Sequence, residues 1–283
     1  MRRALDRGLI LAGGICAALA AGVLATILGA ITWRGASAIS WPFLTEQIQR
    51  AGASGGVLFN ISGTLILLGA ALLVSLPVAS ALALLHSVYL RSERARQRLW
   101  MLLAVWSGVP SIVFGLFGLM LFVKTFGWGK SWLSGGVLLG MMMLPTVSVA
   151  LIERIHSLPR KYGEAAAALG LSQSQVIWSV ILPQCANGLV TGLLLGLARA
   201  AGETAPIMFT ATIFSGAALP HGIQDSPVLT LPYHIFVLSQ DSLDPAAGAR
   251  VWGAALVLLG LVMALSLVAL PARLRIHEEA LRG

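Results

Sequence analysis

Charge is scarce in this chain. Asp, Glu, Lys and Arg make up only 11% of its 283 residues, against about 25% in soluble proteins. A soluble protein so poor in charge could not cover its surface, so the shortage excludes an ordinary globular domain and leaves lipid as the covering solvent. The 57% hydrophobic content and the mean hydropathy of +0.87 point the same way. Cysteine is nearly absent. Cys16 and Cys185 offer no metal or redox spacing and read as small apolar fillers. The histidines His86, His156, His221, His234 and His277 are scattered singly, and no cluster of His, Cys, Asp or Glu marks a metal or catalytic centre. A nucleophile with a base is missing too, which counts against a membrane-embedded enzyme.

Long hydrophobic runs are what the sequence has in quantity. A spanning helix needs about 20 mostly apolar residues, and six stretches qualify: 9–31, 63–89, 100–123, 133–151, 186–214 and 251–271. The expected fold is an all-α integral membrane protein, one domain over 1–283, with no soluble domain. Six spans put both termini on one side. The N-terminus, the 91–98 loop, the 152–185 loop and the C-terminus hold 13 of the 19 Lys and Arg residues, while Arg34, Arg50, Lys124, Lys130 and Arg250 fall on the other side. The positive-inside rule then places both termini in the cytoplasm. The formal charge of +8 reads as topology, not as a nucleic-acid surface. Trp33, Trp100, Trp132 and Trp252 fall at span ends, as an interfacial belt would place them. Ala36-Ser37-Ala38 looks like a cleavage site, but the apolar stretch before it exceeds the usual signal-peptide core of about 7–15 residues. A retained helix is expected.

The 152–185 loop carries the most information. Residues 164–169 are strong helix formers, and Glu164 near the start suits the helix dipole. Gly170 supplies a stop. A second helical stretch over 172–182, with Ser172 as its N-cap, ends at Leu182-Pro183. By itself this is an ordinary helical hairpin or a methyl-lined knob that enters a partner's groove.

The same loop resembles the signature of ABC-importer permeases: E-A-A, three residues, G, nine residues, an aliphatic residue, one residue, L-P. Here these are Glu164-Ala165-Ala166, Gly170, Val180 (more often Ile in the family) and Leu182-Pro183. The resemblance implies a coupling helix, with Glu164, Ala165, Ala166 and Gly170 docking on a separate ATP-hydrolysing subunit. Gly192, Ala198-Arg199-Ala200 and Gly202-Glu203-Thr204-Ala205-Pro206 are similar to PstA-type phosphate-importer permeases, as are Gly55-Gly56, Gly63-Thr64 and residues 109–119. The likeness runs from about 55 to 215 and leaves the 217–250 loop unmatched, so it reaches the family further than the cargo. It implies a type I ABC importer permease-like fold with six transmembrane helices, both termini inside, in the bacterial inner membrane. The implied partners are a second homologous permease (PstC-like), two copies of a cytoplasmic ATPase (PstB-like), a periplasmic phosphate-binding protein (PstS-like) and membrane lipid. ATP and Mg would sit on the ATPase, with no cofactor on this chain, which is not itself an enzyme.

The fifth span is unusual on physical grounds alone. Gly188, Gly192 and Gly196 recur every four residues, a face that lets another helix pack closely. At 100° per residue, Gly192, Gly196, Arg199 and Glu203 fall within about 60° of one another. Arg199 lies about 20 Å along the helix from Ala186. A charge there costs at least about 2.5–3.5 kcal/mol. Mutual neutralisation of Arg199 and Glu203 is one explanation. The other is an ion path through Arg199, Glu203 and Thr204, favoured because an isolated buried pair has no stability advantage over apolar replacements. The planar fork of Arg suits an oxyanion such as phosphate. Glu203 would offset Arg199 when the path is empty or take a proton from the cargo. Pro206 should kink or end the helix near Glu203, and the Gly face calls for a close neighbour, read as the second permease.

Several features are decoys. Gly129-Lys130-Ser131 mimics the end of a phosphate-cradling loop, but position 124 is Lys124 where Gly is required. Asn60-Ile61-Ser62 sits at a span edge, and Met141-Met142-Met143 reads as adaptable packing. Two rivals remain: a permease for another oxyanion such as molybdate or sulfate, or an ion-driven secondary transporter. The latter predicts internal repeats and paired broken helices, and only one span reads as broken.

Overall fold

A computed structural model describes residues 2–49, 52, 54–214, 216, 219–240 and 245–282. The described chain is almost entirely helical. α1 (Arg2–Ala36) stands at the edge of the bundle and packs chiefly on α12 (Pro245–Arg282). None of its most apolar stretch is buried, so its leucines and isoleucines meet lipid. At its far end come α2 (Trp41–Thr45), whose N-cap Ser40 accepts from the Phe43 N–H, and a two-residue antiparallel hairpin, β1 (Ile48–Gln49) with β2 (Ser54–Gly55).

α3 (Leu58–Leu84) starts earlier than the expected 63 and runs into a π turn at Leu85–Tyr89. The expected third span, 100–123, is not one rod. α4 (Glu93–Ser107) and α5 (Ser111–Gly118, extended as a π turn through Thr125) meet at a 91° bend. Pro110 is the cause: it disfavours helical geometry at Val109, and Gly108 beside it resists the helix. Counted as one crossing, the bent pair gives six spans with the five continuous ones.

α6 (Trp132–His156) forms the centre, with 72% of its most apolar stretch buried against 28% for the α3 span. Leu138, Leu139, Met142, Met143 and Val147 pack with Leu67, Leu68 and Ala71 of α3. Lipid removes most of the hydrophobic drive between helices, so close approach must supply the attraction. Gly140 allows it: a Cβ there would stand 2.9 Å from the Ala71 carbonyl oxygen. Pro145 within α6 lacks the N–H that would bond the Met141 carbonyl. The Trp106 indole Nε1 donates to that carbonyl instead, at 3.1 Å.

α7 (Arg160–Ala168) and α8 (Gln173–Val176) follow. The stretch expected to stop at Leu182-Pro183 does not stop. A π turn at Ile177–Ile181 joins α8 to α9 (Leu182–Ala201), and the helix runs 29 residues through Pro183. Pro183 lies in the first turn after the register change, where no i−4 donor is missed. The fifth crossing is therefore Gln173–Ala201, not 186–214. Beyond it lie α10 (Ala205–Thr210) and α11 (Leu231–Gln240). The segment before α11 is tied down: Asn60 Nδ2 donates to the Thr230 carbonyl at 3.4 Å, and the Leu231 N–H donates to Thr64 Oγ1 at 3.0 Å. Burial, with the charge of Arg250 second, pushes His234 of α11 down to about 4, so it is neutral.

Candidate functional site

The core of the site is the break between α9 and α10. A continuous helix would drive the Pro206 ring into the Gly202 carbonyl, and Gly202 is a poor helix former. α9 therefore ends at Ala201, and the Gly202 N–H folds back onto the Arg199 carbonyl at 3.1 Å. Pro206 sits in the first turn of α10, where its missing N–H costs nothing. Gly196 faces Met143, halfway along α6. That contact fixes Arg199, one turn further on, near the middle of the bundle.

Arg199 and Glu203 approach through one contact, Nε to Oε1 at 3.6 Å, with side-chain exposures of 44% and 17%. This is the only ion pair among the described residues. It leaves both terminal nitrogens of the guanidinium without a hydrogen-bond partner there. Thr204 precedes α10, and its carbonyl accepts from the Met208 N–H at 3.1 Å. Leu195, Ala198, Arg199 and Gly202 are all exposed, a spacing that makes one open face.

The expectation that Gly192, Gly196, Arg199 and Glu203 share a face needs correction. Gly188 lies against Arg154, and Cβ atoms at Gly192 and Gly196 would stand 2.9 Å from Ala150 Cβ and 3.0 Å from Met143 Cε. All three glycines are covered by α6 of the same chain. In the next turn the buried positions become Leu197, Ala200 and Ala201, so the contact stripe drifts round the helix and Arg199 emerges on the open side. The neighbour that the glycines require is α6, and they are no argument for a second permease.

Sequence reasoning missed the second broken helix. α5 packs on α10: a Cβ at Gly115 would stand 2.9 Å from the Ala205 carbonyl oxygen and 3.0 Å from Pro206 Cα. The bent pair α4–α5 and the α9–α10 break thus lie side by side. The signal was Pro110 in mid-span. A groove of about 380 Å³ lies one turn and more before Arg199 along α9, with Ser107, Thr146, Glu153 and Leu195 among its walls.

The 152–185 loop forms a second surface. Gly170 takes φ +65°, and the Leu171 N–H donates to the Ala166 carbonyl at 3.1 Å, closing α7 as a Schellman turn. Ser172 and Gln175 then make a reciprocal capping box, and Gln173 Nε2 donates to the Val88 carbonyl at 3.4 Å, tethering the turn to the end of α3. Ala165 and Gly170 face outward while Ala166 is buried. Glu164 lies in α7, and its side chain is outside the described residues. Leu169, 76% exposed, is an apolar knob the sequence reading passed over. His86 and His156, scattered in sequence, come together with ring centroids 5.5 Å apart.

Residues 75–276 match the family described as "Binding-protein-dependent transport system inner membrane component". The chain belongs to this family. It is therefore a transport permease subunit, not an enzyme, and one component of a multi-part transport system. Named relatives agree on the class. The "Probable ABC transporter permease protein YqgI" of Bacillus subtilis is 29% identical over 268 residues, covering 90% of each chain. The "Phosphate transport system permease protein PstA" of Haemophilus influenzae is 30% identical, over 83% of this chain and 82% of its own length. "Phosphate transport system permease protein PstA 2" of Mycobacterium bovis is 33% identical over 74% of this chain and 68% of its own. Among solved structures, a chain of the inward-facing MetNI methionine ABC transporter superposes with a TM-score of 0.57 at 16% identity, covering 78% of this chain and 94% of that one. That likeness is one of fold.

Proposed function

We propose that this chain is the permease subunit of a bacterial inner-membrane ABC importer, that its cargo is inorganic phosphate, and that Arg199 meets the anion. The observation that carries this reading is Arg199 itself: a guanidinium at mid-bundle depth, on an open face, with its terminal nitrogens unspent beside a helix break. Two parallel charge-assisted hydrogen bonds from that fork match a phosphate. Glu203 and Thr204 complete the candidate path, Glu203 keeping the empty site from holding the anion too tightly. Phosphate as cargo is supported by the names of the relatives.

One chain offers only half an enclosure, because the Arg199 face is open. A second homologous permease, PstC-like, would close it. The Schellman-capped α7 turn, through Ala165, Gly170 and the Glu164 backbone, would dock on a PstB-like ATPase present in two copies, which would hold ATP and Mg. A PstS-like binding protein would deliver the anion from outside, and this chain would hold no cofactor.

Proteoliposomes containing this chain with those partners should take up radiolabelled phosphate only when ATP is supplied, and tenfold excess sulfate or molybdate should not compete. Competition by either oxyanion would reassign the cargo. Uptake driven by an ion gradient without ATP would overturn the class.

A further inference from the structure

At the cytoplasmic end of the bundle, a groove of about 630 Å³ lies between α4 and the ends of the α3 and α6 spans. Its α4 wall is Glu93, Arg96, Gln97, Trp100, Met101 and Ala104. These positions, at offsets 0, 3, 4, 7, 8 and 11, form one helix stripe about 16 Å long. The stripe changes character along its length: charged and amide side chains first, an interfacial Trp next, then apolar residues. His86 and His156 complete the polar end.

Two observations set the polar end apart. His86 is only 5% exposed, yet its Nδ1 has no hydrogen-bond partner among the described residues. Buried polar atoms are rarely left this way, and the imidazole that carries this one lines the groove. His86 also lies in the π turn Leu85–Tyr89, a distortion that recurs at functional sites. Arg96 donates Nε to the Leu90 carbonyl at 2.8 Å, and no further hydrogen bond or ion pair holds its guanidinium among the described residues. Glu93 opens α4 at the helix N-terminus, where the dipole favours its carboxylate, and it lines the same end of the groove beside Arg96 and the two histidines.

We propose that this groove binds the phosphate headgroup of an anionic membrane phospholipid, with Arg96 and the His86–His156 pair on the phosphate and an acyl chain along Met101 and Ala104. The headgroup-to-tail gradient of the α4 stripe matches an amphiphile, and basic pockets at the cytoplasmic face are suited to such headgroups. Arg91 before α4, and Arg94 and Arg98 on it, would draw anionic lipid to the site. A free phosphate ion shares the headgroup chemistry but has no use for the apolar half. The proposal is independent of the cargo.

The test is native mass spectrometry of the full chain with its partner subunits, delipidated and titrated with phosphatidylglycerol. One saturable lipid adduct is expected on the wild type. Arg96→Gln, which removes the charge, and Ala104→Trp, which fills the tail end, should each weaken it at least tenfold, and 10 mM inorganic phosphate should not displace it. Ala104→Trp needs no change in the polar cluster, so it tests the site even if Arg96→Gln impairs assembly. Wild-type lipid binding by both variants would overturn the proposal. So would displacement by inorganic phosphate that still binds Ala104→Trp, which would make this a site for a soluble anion.

Discussion

Arg199 sits where a charge is costly, and its arrangement supports the proposed contact with the anion. A pair that existed only for mutual neutralisation would spend both partners on each other. Here a single Nε–Oε1 contact at 3.6 Å joins them, and the guanidinium is nearly half exposed. Each charge-assisted hydrogen bond to a bound anion contributes about 1.5–3 kcal/mol, so losing one weakens binding by about 10- to 150-fold. Arg199→Gln should therefore abolish measurable uptake while leaving assembly intact, and Arg199→Lys should fail substantially because an ammonium cannot reproduce the fork. Glu203→Gln should also be damaging, since it leaves Arg199 uncompensated. The decisive comparison is the double change Arg199→Gln with Glu203→Gln in cells lacking other phosphate importers. It should stay inactive. Recovery of phosphate uptake would mean that the two charges only neutralise each other.

The proposed coupling rests on short elements. α7 is nine residues long, too short to be stable alone in water, so its shape depends on how it is closed. Gly170 closes it with a left-handed φ of +65°, and open space surrounds the position where a Cβ would stand. Strain, not collision, is thus the penalty for substitution: about 1–2 kcal/mol for most residues and least for Asn. Gly170→Val should insert and assemble normally but lose ATP-coupled uptake, while Gly170→Asn should retain most of it. Uptake by Gly170→Val at the wild-type rate would remove the coupling role from this turn. Leu169, next to Gly170 and largely exposed, belongs to the same surface.

For the whole molecule, six crossings and the basic-residue asymmetry together predict the orientation. Five continuous spans and one bent pair bring the 91–98 loop and both termini to one side, the cytoplasmic side by the positive-inside rule. Ser226 is a poor reporter for the other side because it is only 6% exposed. Gln224 is exposed and serves better. Single cysteines at Arg94 and Gln224, in a chain whose own Cys16 and Cys185 are replaced, should react with a membrane-impermeant maleimide from opposite sides. Labelling of both from outside intact cells would overturn the orientation.

Hydropathy and charge belong to single residues and sum along the chain, so the sequence by itself determined the membrane class, the number of crossings and the family resemblance, and it carries the expected orientation. Gly170 was legible for the same reason, since a left-handed helix stop is a local property. What only the tertiary structure decided concerns pairs of elements. The 91° bend at Gly108–Pro110 was hidden because a hydropathy sum is blind to direction, and Pro183 did not stop its helix because a π turn shifted the register upstream. A helical wheel set Arg199 on the glycine face. Where α9 meets α6, however, the contact stripe drifts from one turn to the next, so α6 covers Gly192 and Gly196 while Arg199 is left open. His86 and His156 lie 70 positions apart in the chain, and only the packing of α3 against α6 made them neighbours.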